Sequence, residues 1–234
     1  MKRFVLMCVC LAIGVAAARA DSSPEQLRKA RNVFDEIMRT PDKSIPSNLM
    51  SKAVCVGIVP SELKFAIGIG GNYGRGVLVC RKHGDGPWGD PSMFTLGGGS
   101  FGFQLGGKAT DVVFIVMNED GARKLVRDDV KLGADISAAA GPVGREGAAA
   151  TDAEMHAEIL SYSRSRGLFA GVSLSGAVLH QDNDDNAKLY GRKVTAKDIL
   201  FGGTTVTRPS SARELDEVLT RYSPRGGQPF RHQA

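Results

Sequence analysis

Apolar positions recur at helical spacing near the start of the chain. Leu27, Ala30, Phe34, Ile37 and Met38 form one stripe, and Arg28, Lys29, Arg31, Asp35 and Glu36 occupy the other sides. Ser23-Pro24-Glu25-Gln26 reads as the helix start: Ser23 as cap, Pro24 at the first position, Gln26 completing a capping box. The helix is expected to stop before Pro41. Its mixed charge favours packing on the domain over lying on a membrane. A short helix is expected over Ser47 to Lys52.

The period then changes. Ala53 to Val59 is apolar and valine-rich and reads as a strand ending at Pro60. Strands over Phe65 to Gly71 and Arg75 to Arg81 follow, with Gly71-Asn72-Tyr73-Gly74 as the break between them. Residues 84–92 read as a loop, and Met93 to Gly107 as one long glycine-diluted strand. Asp111 to Met117 is the most hydrophobic strand and is expected inside the sheet. Asn118 starts a short helix through Val126. Lys131 to Ala140, Ala153 to Ser165 and Phe169 to His180 read as extended. Helices are expected over Asn183 to Tyr190, capped by Asp182, then Thr195 to Leu200 and Ser211 to Tyr222. Residues 224–234 read as a disordered tail.

Strands do not alternate with long helices, which favours an α+β fold over a doubly wound parallel sheet. Gly97, Gly98, Gly99, Gly102, Gly106 and Gly107 crowd into eleven residues. Glycine weakens a strand, so this density points to bulges and close packing in a strongly curved, barrel-like antiparallel sheet with peripheral helices.

The beginning of the chain changes the charge argument. Lys2 and Arg3 precede an apolar run from Phe4 to Ala18, and Ala18-Arg19-Ala20 matches a signal-peptidase site. Cleavage is expected before Asp21, leaving one domain over residues 21–223 and its tail. The run is shorter than the ~20 apolar residues of a membrane span. The net charge of +5 includes Lys2, Arg3 and Arg19, so the processed chain is near +2. That is not the charge of a nucleic-acid binder. Export points to the periplasm or beyond. There Cys55 and Cys80, which remain after cleavage, could be a disulfide or two buried thiols.

Candidate chemistry is sparse. Gly98-Gly99-Ser100-Phe101-Gly102 matches the G-x-S-x-G nucleophile elbow, with His156 and His180 downstream. The elbow needs a strand-turn-helix context, and glycine-rich strand sequence follows instead. A serine hydrolase using Ser100 is therefore the lesser alternative. Gly102 to Lys108 resembles a phosphate loop, but Ala109 stands where Ser or Thr should bind magnesium, and a strand follows. Asp182 to Asn186 resembles a calcium loop, but Ala187 and Lys193 replace its glycine and glutamate, so a helix cap fits better. His83, His156, His180 and His232 share no ligand spacing. No cofactor or metal is implied. Cations beside glycine and tyrosine remain: Lys64, Arg75, Lys108, Lys131, Arg145, Arg164 and Arg166, with Tyr73 and Tyr162. Arginine can clamp a phosphate and glycine lets backbone N–H groups approach it, the chemistry of a phospholipid head-group site.

Seven blocks together resemble the SYLF domain family: Ala53–Pro60, Gly70–Gly76, Gly97–Gln104, Thr110–Asn118, Leu132–Asp135, Ala140–Arg145 and Tyr162–Ser173. Eukaryotic members bind phosphoinositides, and some act at yeast actin patches. The resemblance implies a non-catalytic lipid-binding module without cofactor. For an exported chain the expected partner is an anionic phospholipid or membrane surface. An envelope protein partner, with the domain as a structural scaffold, is the alternative.

Overall fold

The computed structural model describes residues 22–40, 44–67, 69–100, 106–144, 156–165, 167–203 and 206–223. For residues 62–67, 69–71, 99–100 and 106–108 it describes the backbone alone. The expected signal peptide and tail lie outside the described residues, as do Arg145 and Arg166.

Among the described residues nine strands form one sheet: β1 (Cys55–Ile67), β2 (Ile69–Cys80), β3 (Ser92–Ser100), β4 (Gly106–Val116), β5 (Asp129–Lys131), β6 (Ala138–Ala140), β7 (Ile159–Ser165), β8 (Leu168–Gly171) and β9 (Val178–Gln181). Their order is β5-β9-β3-β2-β1-β4-β7-β6, with β8 also paired to β7. Every pairing is antiparallel except β6 with β7. The sheet is strongly curled and open, a half-barrel, as the glycine density predicts, and the fold is α+β, as the order of strands and helices predicts. The described helices are α1 (Ser23–Met38), α2 (Ser47–Lys52), α3 (Glu119–Leu125), α4 (Asn183–Tyr190), α5 (Ala196–Leu200) and α6 (Ser210–Tyr222).

Alternation along the strands sends side chains to two cores. Val56, Ile58, Val77, Val79, Val113 and Ile115 pack with the apolar stripes of α1 and α6. Leu78, Phe94, Leu96, Phe114, Leu125 and Leu179 form the second cluster. Phe94 and Phe114 meet edge to face, with ring centroids 5.7 Å apart. Their room comes from glycine. Gly57 stands opposite Phe114 and Gly76 opposite Phe94 in the strand register. A Cβ on Gly57 would lie 2.0 Å from the Phe114 ring, and one on Gly76 2.3 Å from the Phe94 ring. These two glycines are seats for aromatic rings, a more specific role than backbone flexibility.

Several local expectations are corrected. Pro60 does not end a strand: β1 continues to Ile67 across a register shift between Val59 and Glu62. A bulge tolerates the missing proline N–H, and the Ser61 N–H instead donates to Asp111 Oδ1 at 3.0 Å. Gly71 to Gly74 is no break. Asn72 and Tyr73 pair on both sides, with Lys64 and Leu63 of β1 and with Gly98 and Gly97 of β3. Met93 to Gly107 is divided between β3 and β4, and only short parts of Lys131 to Ala140, Ala153 to Ser165 and Phe169 to His180 are strands. The capping box of α1 does not form. The Ser23 hydroxyl donates to the Asp185 carbonyl, and the Gln26 amide to the Arg75 carbonyl. Tertiary carbonyl acceptors take these side chains in place of the local N–H donors of a capping box. By contrast, Asn118 and Asp182 do cap α3 and α4, accepting from Gly121 N and Asp185 N.

Cys55 and Cys80 are register partners on β1 and β2 and form a disulfide, which resolves the two alternatives. No helix among the described residues is long and apolar enough to cross a membrane.

Candidate functional site

Of the cations nominated from sequence, Arg75 and Arg164 are engaged inside the fold. Arg75, on β2, pairs with Asp185 of α4, and the pair is largely buried under α1. Arg164, on β7, donates from Nε and Nη2 to Asp111 Oδ2 at 3.0 and 2.8 Å, and pairs also with Glu36 of α1. Burial opposes the Arg164 charge, but the two carboxylates outweigh it and hold its pKa above the ordinary value. Both guanidiniums therefore act as internal braces between helix and sheet. Tyr162 is a correction of the same kind. It is fully buried and stacks on Phe169 with centroids 5.5 Å apart. The cause is the β7 register, which turns Tyr162 into the helix-covered core, where Gly141 leaves space for its ring. Tyr73 is exposed, and Lys131 is exposed on the edge strand β5. Lys64 and Lys108 stand opposite each other on β1 and β4.

Ser100 ends β3, and His180 stands opposite Thr95 of that strand. Five residues of strand separate them, on the order of 17 Å at ~3.4 Å per residue. The His180 ring meets Asp129 at 3.0 Å instead. This register brings no histidine base from β9 to Ser100.

A concavity lies elsewhere, between the loop after β2, the segment after α3, and α5. It is an open cleft of about 1610 Å³. Its architecture starts from Arg81, which is buried and follows Cys80 directly. Arg81 Nε donates to the Ala53 carbonyl at 3.0 Å, Nη1 to Gly86 O at 3.1 Å, and Nη2 to Ser223 O at 3.0 Å. Its guanidinium sits 4.1 Å from the Trp88 ring centroid. One side chain thus ties the 81–90 loop to the end of α6. On the opposite wall the reciprocal Thr195–Asp198 capping box fixes α5, and the Phe201 N–H bonds to Lys197 O at 2.9 Å.

The charges lining the cleft divide in two. Arg208 is held by Asp90 at 2.7 Å and Asp216 at 2.9 Å, and Arg123 by Glu119 at 2.8 Å. Burial pushes the Asp216 carboxyl above its ordinary pKa, against the pull of Arg208. Lys82, Arg127 and Lys197 are exposed and make no salt bridge among the described residues, although the neighbouring Asp198 carboxylate feels the Lys197 charge. Sequence reading missed all three. They come from three separate segments, and no local pattern joins them. The rare tryptophan in Gly86-Pro87-Trp88-Gly89 was the one usable signal.

The half-barrel and its cation-rimmed cleft are what the described residues present as a candidate site. Residues 97–222 match the family described as "Ysc84: Las17-binding protein actin regulator", and the chain belongs to that family, the SYLF group its sequence resembles. It is 34% identical over 206 residues to "SH3 domain-containing YSC84-like protein 1" of Bos taurus and of Homo sapiens, covering 86% of this chain and 59% of each relative. It is 36% identical over 194 residues to "LAS seventeen-binding protein 3" of Saccharomyces cerevisiae, covering 80% of this chain and 41% of that protein. The chain thus spans little more than half of the vertebrate relatives.

Proposed function

We propose that this chain is a non-catalytic lipid-binding module, exported through a cleaved signal and associated with the cell envelope through anionic phospholipid. The observation that carries the reading is the rim of the cleft, where Lys82, Arg127 and Lys197 face solvent around one concavity. The head-group site is therefore assigned to the cleft instead of to Arg75 and Arg164. Export is supported by the basic, apolar and Ala18-Arg19-Ala20 sequence of the first twenty residues, and by the Cys55–Cys80 bridge, which suits an oxidising compartment.

The test is co-sedimentation with phosphatidylglycerol vesicles at low salt. A basic residue near an anionic membrane contributes ~1 kcal/mol. The double variant Lys197→Glu/Arg127→Glu should weaken binding at least tenfold, and added salt should weaken the wild type. Equal sedimentation with phosphatidylcholine vesicles, or none with either lipid, refutes the reading. The names of the family and its yeast member point to a protein partner for those proteins. A stoichiometric partner retained in pull-down without lipid would favour the scaffold reading here. Intact mass of the protein from the envelope fraction tests export: the expected chain begins at Asp21.

A further inference from the structure

The rim explains attraction to an anion, but not the apolar surface beside it. Phe201 is 42% exposed at the end of α5 and lines the same cleft as Lys197. Ile199, Leu200, Val54, Trp88 and Val126 line the cleft with it. This apolar shelf is built. The capping box holds α5, and Arg81 holds Trp88 and the loop that carries it. The cleft volume of about 1610 Å³ exceeds the ~300–1,000 Å³ of pockets that enclose a drug-sized ligand. A head group alone would leave most of it to water, with Phe201 still exposed.

We infer, resting on the lipid-binding reading above, that the cleft takes a single anionic phospholipid as a monomer: phosphate at Lys82, Arg127 and Lys197, acyl chain along Phe201 towards Trp88. Charge complementarity decides the occupant. Arg208 faces two carboxylates, Asp90 and Asp216, and Arg123 faces Glu119, so with Asp128 the lining holds four acidic side chains against six arginines and lysines, an excess of positive charge that sits outermost at Lys82, Arg127 and Lys197. The chain's own residues 224–234 carry Arg225 and Arg231 and no acidic side chain, so the rim would repel them. An apolar peptide would use the shelf and waste the rim.

The single tryptophan makes the inference measurable, because Trp88 lines the cleft. The protein is titrated with dihexanoyl phosphatidylglycerol below its micellar concentration, with glycerol phosphate, and with phosphatidylglycerol vesicles carrying brominated acyl chains. The short-chain lipid should bind at least tenfold more tightly than glycerol phosphate, and brominated chains should quench Trp88. Phe201→Ser should remove most of that tenfold advantage while leaving glycerol phosphate binding unchanged. Lys197→Gln should weaken both ligands. Neither side chain is buried, and a thermal melt checks that both variants fold. Vesicle sedimentation without quenching, or equal affinity for the two soluble ligands, overturns monomer uptake and leaves surface binding standing. Absence of vesicle binding refutes the lipid-binding reading itself.

Discussion

The seat that Gly57 provides for Phe114 gives a prediction whose sign is informative. In an ordinary strand interior, replacing glycine by alanine is expected to gain ~0.5–1 kcal/mol, because glycine loses more chain entropy on folding. Here the new Cβ would fall 2.0 Å from the Phe114 Cζ atom, well inside van der Waals contact. Phe114 cannot yield freely. It is fully buried and locked edge to face against Phe94, whose ring fills the equivalent seat over Gly76. Overpacking of such a core costs ~1–3 kcal/mol. Gly57→Ala should therefore destabilise by about 2 kcal/mol, which lowers the melting temperature by roughly 4–8 °C for a domain of this size. Phe114→Leu removes the ring edge and leaves a cavity, a loss of its own. In the double variant the methyl occupies part of that cavity, so the two losses should fall short of additivity by at least ~1 kcal/mol. Equilibrium urea unfolding of the wild type, both single variants and the double variant measures this. A neutral or stabilising Gly57→Ala, or strictly additive losses, would refute the ring-seat account of the glycine density.

Arg164→Gln should cost about 1–3 kcal/mol, because it strips Asp111, whose side chain is 17% exposed, of its cation; urea unfolding reads the loss, and vesicle binding should not change. Reduction, or Cys55→Ser with Cys80→Ser, should cost ~3 kcal/mol from the loop of 25 residues that the bridge closes, read as a lower unfolding midpoint. Glu158 supplies a pH test. Burial opposes its ionisation, but Lys124 Nζ at 2.9 and 3.0 Å and the Ser137 N–H at 3.0 Å outweigh it, so its pKa lies below the ordinary 4.5. A depressed carboxylate contributes stability fully above its unfolded pKa and loses it as pH falls through the folded value. Unfolding midpoints should therefore fall below about pH 4.5, and Glu158→Gln should flatten that part of the profile.

Much of the fold is readable along the chain because its signals are local. The stripe from Leu27 to Met38, the caps at Asn118 and Asp182, and the run from Val112 to Val116 involve neighbours within a turn or a strand, so periodicity and capping chemistry suffice. The glycine density announces a bent sheet for the same reason. Tertiary partners decided the rest. Ser23 and Gln26 leave their capping box for carbonyls of Asp185 and Arg75, and Pro60 stays within β1 because a bulge absorbs it. Arg75 and Arg164 look like free cations until α4, β4 and α1 bring Asp185, Asp111 and Glu36 against them. Lys82, Arg127, Lys197 and Phe201 become one site through folding alone. A charge is spent or available according to what lies beside it in space, and a one-dimensional pattern carries no record of neighbours a hundred residues away.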